Sequence, residues 1–470
     1  MKKIILMAAV LLYSGSLVAQ SLGTAELKNL KESFNNDAYA KSIHNIVSSN
    51  KNIKALAYDA SVARDADDFF KYRVDVKGIT DQKSSGRCWM FTSMNNLRPI
   101  VMRKYNINNF DFSHNYNYFW DILEKANLFL ENVIRTKDRD YDDREVAFYF
   151  SYPVGDGGVW NLFYNIAGKY GVVPKQVMPE TEHSNNTSAM VSIINERLRK
   201  GGNEIREKTA ESMRVMRSGI EGDLYTNLQK IKMATLKDVY RVLAICLGEP
   251  PTEFTWKFKD KDGKIKTVKS TPMEFYKGII PADYNPDNYV MIMNDPTREY
   301  YKIYEIQNYR NNIEGINWTY LNLPNEDIKK AAIASLKDGE PMYASCDVGK
   351  QSNTSAGVGY MDPGIYNYGQ LFGIDMQMDK KARILTRQSG SSHAMLIVAC
   401  DTDDNDKPIK WQFENSWGPN AGRSGYLNFT DKWFDEYMFR IVINRKYLDN
   451  KAIKALKQQH VMLPPWDYMY

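Results

Sequence analysis

The chain has 470 residues, 43% hydrophobic and 25% charged, with four cysteines. At about 150 residues per domain this length allows three domains or one large enzyme with insertions, and the composition excludes long disorder and collagen-like repeats. Cys88, Cys246, Cys346 and Cys400 are too few and too scattered for a disulfide scaffold, and no C-x-x-C pair points to a zinc ribbon.

In chain order, residues 1–19 read as a signal peptide. Lys2 and Lys3 precede an apolar run from Ile4 to Tyr13, and small residues follow as far as Ala19. The run is shorter than the roughly 20 apolar residues a bilayer span needs, so cleavage is expected near Ala19 or Gln20. An extracytoplasmic protein (periplasmic or secreted), with no membrane segment, is the expected product. Losing Lys2 and Lys3 lowers the net charge from +5 to about +3, which argues against a nucleic-acid partner. Residues 20–75 form a polar, helix-prone N-terminal arm.

Residues 76–190 are expected to be a helical half containing Cys88. After the turn QKSSG, the residues Trp89, Met94 and Leu97 fall on helical spacing, and Pro99 is expected to end or bend that helix. Residues 191–330 read as an inserted helical and hairpin region. Leu236, Val239, Tyr240, Leu243 and Leu247 predict an amphipathic helix stopped by Gly248 and Pro250. Phe254, Trp256 and Phe258 alternate before the turn signal DKDGK, which predicts a hairpin. Residues 331–450 are β-rich, carrying SSHAMLIVAC, KWQFENSWG and SGYLNFTD, and 451–470 form a tail expected to dock towards a cleft. Helices early and strands late predict an α+β fold.

The chemistry concentrates at a few positions. Cys88 sits where a turn enters a helix, whose N-terminus favours thiolate, and Arg87 adds a cation beside it. Gln82, six residues earlier, can join the Cys88 N–H as an oxyanion-hole donor. His393 opens an apolar strand and is one of five histidines; Asn415 follows in FENSWG. Singly, such a cysteine is most often a small buried hydrophobe, such a histidine structural, and the GDGG of 155–158 a plain turn. Together, the order Cys, His, Asn is a recurring triad arrangement.

QKSSGRCW (82–89), GDGGVW (155–160), SSHAM (391–395) and ENSWG (414–418) resemble the papain-type cysteine peptidases, and more narrowly their bleomycin hydrolase/aminopeptidase C branch. FWDILEKANLFLE (119–131), YGVVPK (170–175), NDP (294–296), CDVGK (346–350) and TDKWFDEY (430–437) extend the resemblance over nearly all of the chain after residue 40. It implies a papain-like two-part fold, helical and β-barrel-like, with a large, mainly helical insertion. It implies Cys88 as nucleophile, His393 as base, Asn415 orienting the imidazole, Trp417 shielding that bond and Gln82 completing the oxyanion hole. Gly157 and Gly158 match glycines whose backbone pairs with the substrate. Peptide substrates, a homohexamer and a C-terminal carboxylate (here Tyr470) that reads the substrate's amino group are further implications.

Two departures stand out. Ser85 replaces papain's disulfide cysteine, and Cys246, Cys346 and Cys400 read as free core residues. Cysteine and histidine lie 305 positions apart, against roughly 130–150 in papain relatives, so the surplus is insertion. The tail LPPWDYMY is a few residues shorter than the family's, with Tyr468 where proline is usual. If Tyr470 stops short of the cleft, an endopeptidase or dipeptide-releasing enzyme replaces the aminopeptidase. A non-catalytic peptide-binding protein on the same fold is the alternative of another class. DTDDND (401–406) lacks a calcium loop's glycine and glutamate, and neither H-E-x-x-H nor a phosphate loop is present. The expected chemistry needs no metal or organic cofactor.

Overall fold

A computed structural model of the chain describes residues 21–63, 67–217, 224–280 and 286–469. The signal segment expected over 1–19 and the terminal Tyr470 lie outside the described residues. The chain divides into two compact units. One combines the residues up to Tyr58 with Asn367–Met376; the other takes Asp59–Tyr366 and everything from Gln377 onward.

In the first unit, helices Thr24–Asn36 and Ala38–Ser48 abut at Asp37. Its carboxylate accepts the Ala40 N–H at 2.9 Å, capping the second helix where the first one stops. Tyr39 donates its hydroxyl to the Gln370 carbonyl (2.6 Å), and the Asn367 N–H reaches the Ala57 carbonyl (2.8 Å). No residue of either long helix is buried.

The second unit is built on helix Cys88–Tyr105, whose Trp89, Met90, Met94, Leu97 and Val101 are all buried. Pro99 does not end this helix, contrary to one expectation from sequence. The helix runs to Tyr105 and stops at Asn106, which takes a left-handed conformation (φ 52°). An internal proline costs about 3 kcal/mol. Each large apolar side chain buried on either side of it is worth roughly 1.5–3 kcal/mol, so packing wins. Helices Ser188–Arg217 and Leu224–Leu247 lie side by side. As the periodicity predicts, Val239, Leu243 and Leu247 are buried, Leu236 and Tyr240 are half-buried, and Gly248 terminates the helix at φ 85°. Strands Phe254–Lys259 and Ile265–Ser270 form the expected hairpin, with Phe254 and Trp256 facing inward and Gly263 turning at φ 79°.

Among the described residues twelve strands join one sheet. Its central run is Tyr289–Met293, Met438–Asn444, Met342–Cys346, His393–Thr402, Pro408–Glu414 and Tyr426–Thr430, each antiparallel to the next. Strand His393–Thr402 is apolar from Ala394 to Cys400 because both of its faces are covered. Helix Cys88–Tyr105 and helix Asn325–Lys337 both pack against it. The register sets His393 opposite Cys346 and Leu396 opposite Glu414. Helices and sheet are segregated as in an α+β fold.

Candidate active site

Cys88 is the first residue of its helix. The preceding turn is held at both ends: the Gln82 N–H donates to the Ser416 carbonyl (2.8 Å), and the Gly86 N–H donates to Asp156 Oδ2 (2.6 Å). A Cβ on Gly86 would stand 2.3 Å from Asp156 Oδ1, so a side chain there would displace the carboxylate that holds the turn. Burial pushes the Cys88 thiol up to about 11. The Ala394 and Trp89 N–H groups pull it down, and the Asp156 carboxylate pushes it further up. Arg87 does not serve as the expected cation. Its guanidinium is fully buried in an ion pair with Glu180 at 2.9 Å and donates to the Ser184 carbonyl at 2.6 Å. Neighbours in sequence at a helix start point in different directions, which the pattern alone cannot reveal.

His393 Nε2 and Asn415 Oδ1 are 2.7 Å apart and buried, and Trp417 stacks on the imidazole with ring centroids 4.6 Å apart. The Ser416 backbone N–H also reaches Asn415 Oδ1, at 2.8 Å. A backbone N–H can only donate, so that atom is the amide oxygen, and Nε2 must carry the proton it donates. This leaves Nδ1 with a lone pair. Burial lowers the His393 pKa to about 4, against the opposing pull of Asn415. Gln82 Oε1 accepts from the Ser416 hydroxyl (2.6 Å), and Gln82 Nε2 donates to the Ser85 carbonyl (2.6 Å). One N–H of the Gln82 amide remains for another acceptor.

Gln82, Cys88, Gly157, Gly158, His393 and Trp417 line one cleft of about 630 Å³, with Asn415 behind the histidine. The two glycines differ in what they require. A Cβ on Gly158 would lie 2.7 Å from the Trp89 indole, whereas Gly157 has open space around it. The Gly157 carbonyl already accepts from Lys125 Nζ at 2.8 Å. Pro465 of the tail also lines the cleft, and Arg440 donates to the Met469 carbonyl at 3.3 Å. Asp467 pairs with Arg298, and the Tyr468 hydroxyl meets Thr297. The role implied for Tyr470 lies outside the described residues.

Sequence reasoning missed the groups that hold these parts together. Arg98 and Glu414 form a buried ion pair at 2.7 Å, joining the Cys88 helix to the strand that leads into Asn415. Asp156 anchors the GDGG loop through Gly86 and the Thr187 hydroxyl (2.5 Å), and its carbonyl accepts from the Trp89 indole (2.8 Å). The acidic residue inside GDGG was the available signal. Cys346 and Cys400 are buried as read, but Cys246 is half-buried and not a core residue. It lies on the last turn of a helix, between the positions that face inward.

The Peptidase C1-like family model matches residues 21–470. Aminopeptidase C of Lactobacillus delbrueckii subsp. lactis is 37% identical over 86% of this chain and 88% of its own length. Bleomycin hydrolase of Homo sapiens is 34% identical over 96% of this chain and 98% of its own. The crystal structure of PepW from Lactobacillus rhamnosis superposes with a TM-score of 0.88 at 34% identity, covering 96% of this chain and 98% of that one. The papain-like α+β fold and the family agree with the motifs from which the site was assembled, and the chain belongs to the Peptidase C1-like family as a papain-like cysteine peptidase.

Proposed function

We propose that the chain is an aminopeptidase working by a Cys-His-Asn mechanism. The observation that carries the mechanism is the tautomer of His393: with Nε2 donating to Asn415, the lone pair on Nδ1 is available to the cleft. Relatives named Aminopeptidase C and Aminopeptidase G support the substrate class. The Cys88 thiol gives its proton to His393 Nδ1 as sulfur attacks the scissile carbonyl carbon. The resulting oxyanion takes hydrogen bonds from the Cys88 N–H and the unused N–H of Gln82. The C–N bond then breaks, and His393 returns the proton to the departing amine. Water attacks the acyl-enzyme with His393 accepting its proton, and the thiol is restored. Trp417 covers the His393–Asn415 bond, which keeps water from competing for it.

Cys88→Ala is expected to lower turnover of aminoacyl-amide substrates by roughly 10⁴-fold or more; unchanged turnover would sink the mechanism. N-acetylated peptides test the aminopeptidase assignment, because an enzyme that anchors a free amine rejects them. Export directed by residues 1–19 belongs to the same proposal and is checked by fractionating cells that express the full chain. The family resemblance adds a homohexamer, which sedimentation of the mature protein tests.

A further inference from the structure

We propose that Arg440 and Tyr343 form a carboxylate-binding subsite in the cleft, so that the enzyme selects peptides bearing an acidic group. This rests on the peptidase reading of the same cleft. Arg440 stands on strand Met438–Asn444 opposite Ser345, and Tyr343 lies two residues along the paired strand. Side chains two apart on a strand share a face, and both residues line the cavity that contains Cys88. The Arg440 guanidinium lies 4.1 Å over the Trp318 ring and is almost fully buried. Its Nη2 donates to a neutral carbonyl, that of Met469, while its Nε is buried with no acceptor. Among the described residues, no carboxylate lies within ion-pair distance of it.

Buried Arg206 and Lys380 also donate to neutral oxygens, but outside this cavity, whereas the two arginines nearest the Cys88 turn have acids. Arg87 has Glu180 and Arg98 has Glu414. A buried charge is costly unless paired, and a guanidinium matches a carboxylate in a fork geometry. The Tyr343 hydroxyl is a second buried group without a partner among the described residues. Burial holds its phenol well above the ordinary value, so it keeps its proton and can donate. A cation with no acid and a hydroxyl with no acceptor among the described residues, both lining a peptide cleft, make a receptor for an anion that accepts from each. Peptides offer such an anion as an Asp or Glu side chain or as the free C-terminal carboxylate.

The test compares kcat/KM within matched pairs of short peptides with a free N-terminus. One arm exchanges Glu for Gln at each position in turn, and the other exchanges a free C-terminal acid for its amide. In at least one arm the carboxylate member is expected to be favoured about tenfold, mainly through KM, and the arm identifies the source. The ratio should fall to within twofold in Arg440→Gln and by about threefold in Tyr343→Phe, which keeps the assay decisive if the arginine variant does not fold. No preference in either arm, or a preference that survives Arg440→Gln, overturns the subsite. A preference that emerges only after deleting Tyr470 also overturns it, since the guanidinium then serves the chain's own tail. If no peptide is hydrolysed at all, the peptidase reading fails separately. Calorimetric binding of the Glu and Gln peptides to Cys88→Ala then decides the subsite, with equal affinities overturning it.

Discussion

Arg98 and Arg440 are both buried arginines on elements that meet at strand His393–Thr402 or one strand away from it, yet their surroundings differ. Behind the Cys88 helix, the charge of Arg98 is met by Glu414 at 2.7 Å, with further hydrogen bonds to Asn95 and the Gly78 carbonyl, each at 2.8 Å. On the cleft side, Arg440 has an indole, a single carbonyl and no acid among the described residues. The first arrangement joins two elements away from the cleft; the second lines the cavity that contains Cys88. One residue type therefore serves as a brace or as a receptor according to whether the fold supplies its counter-ion.

The largest effect that would break this contrast is on stability. Arg98→Met strands Glu414 as a buried carboxylate and is expected to cost about 3–5 kcal/mol. Arg440→Met strands no acid among the described residues and should cost about 1 kcal/mol or less, so equal losses in denaturant titrations of the two variants would erase the distinction. The cleft side also has its own pH signature. His393 has a folded pKa near 4 against an ordinary 6.5, so its contribution to stability is present above pH 6.5 and is lost as pH falls towards 4. The difference should reach about 3 kcal/mol by linkage. Replacing His393 by Gln should flatten that slope in melts between pH 4 and 7. In the parent, kcat/KM should fall on the acid side only near pH 4, as Nδ1 takes a proton.

A smaller pair of effects sharpens the contrast at the first turn of the helix. Gly158→Ala drives a methyl into the Trp89 ring and is expected to cost about 1–3 kcal/mol. Gly157→Ala faces open space and should stay within about 0.5 kcal/mol, so that any loss of activity there reflects substrate contact. Melting temperatures and kcat/KM of the two variants, measured side by side, separate packing from binding.

What could be read from sequence was local. Periodicity located the helix ending at Leu247, the alternation of Phe254, Trp256 and Phe258 located a strand, and four short motifs carried Gln82, Cys88, Gly157, Gly158, His393 and Trp417, which line one cleft. What could not be read was pairing across distance. Arg98 and Glu414 are 316 positions apart, and Gly86 and Asp156 are 70 apart; no spacing rule connects them. Arg87 looked like an activating cation because it adjoins Cys88, and only the fold turns it towards Glu180. Pro99 looked like a terminator because propensity is local, whereas the packing that overrides it comes from the whole core. Arg440 carried no signal at all, since an arginine in a strand says nothing about which residues face it.

The burial of the four cysteines has a practical consequence of another kind. Cys346 and Cys400 are fully enclosed, while Cys88 and Cys246 are each partly open. A native-state thiol titration should therefore count two sulfhydryls per chain and, after denaturation, four. Cys246→Ser would leave one countable thiol in the native protein. A colorimetric reagent would then measure the concentration of competent enzyme molecules directly, and a spectroscopic label attached there would sit in the cleft alone.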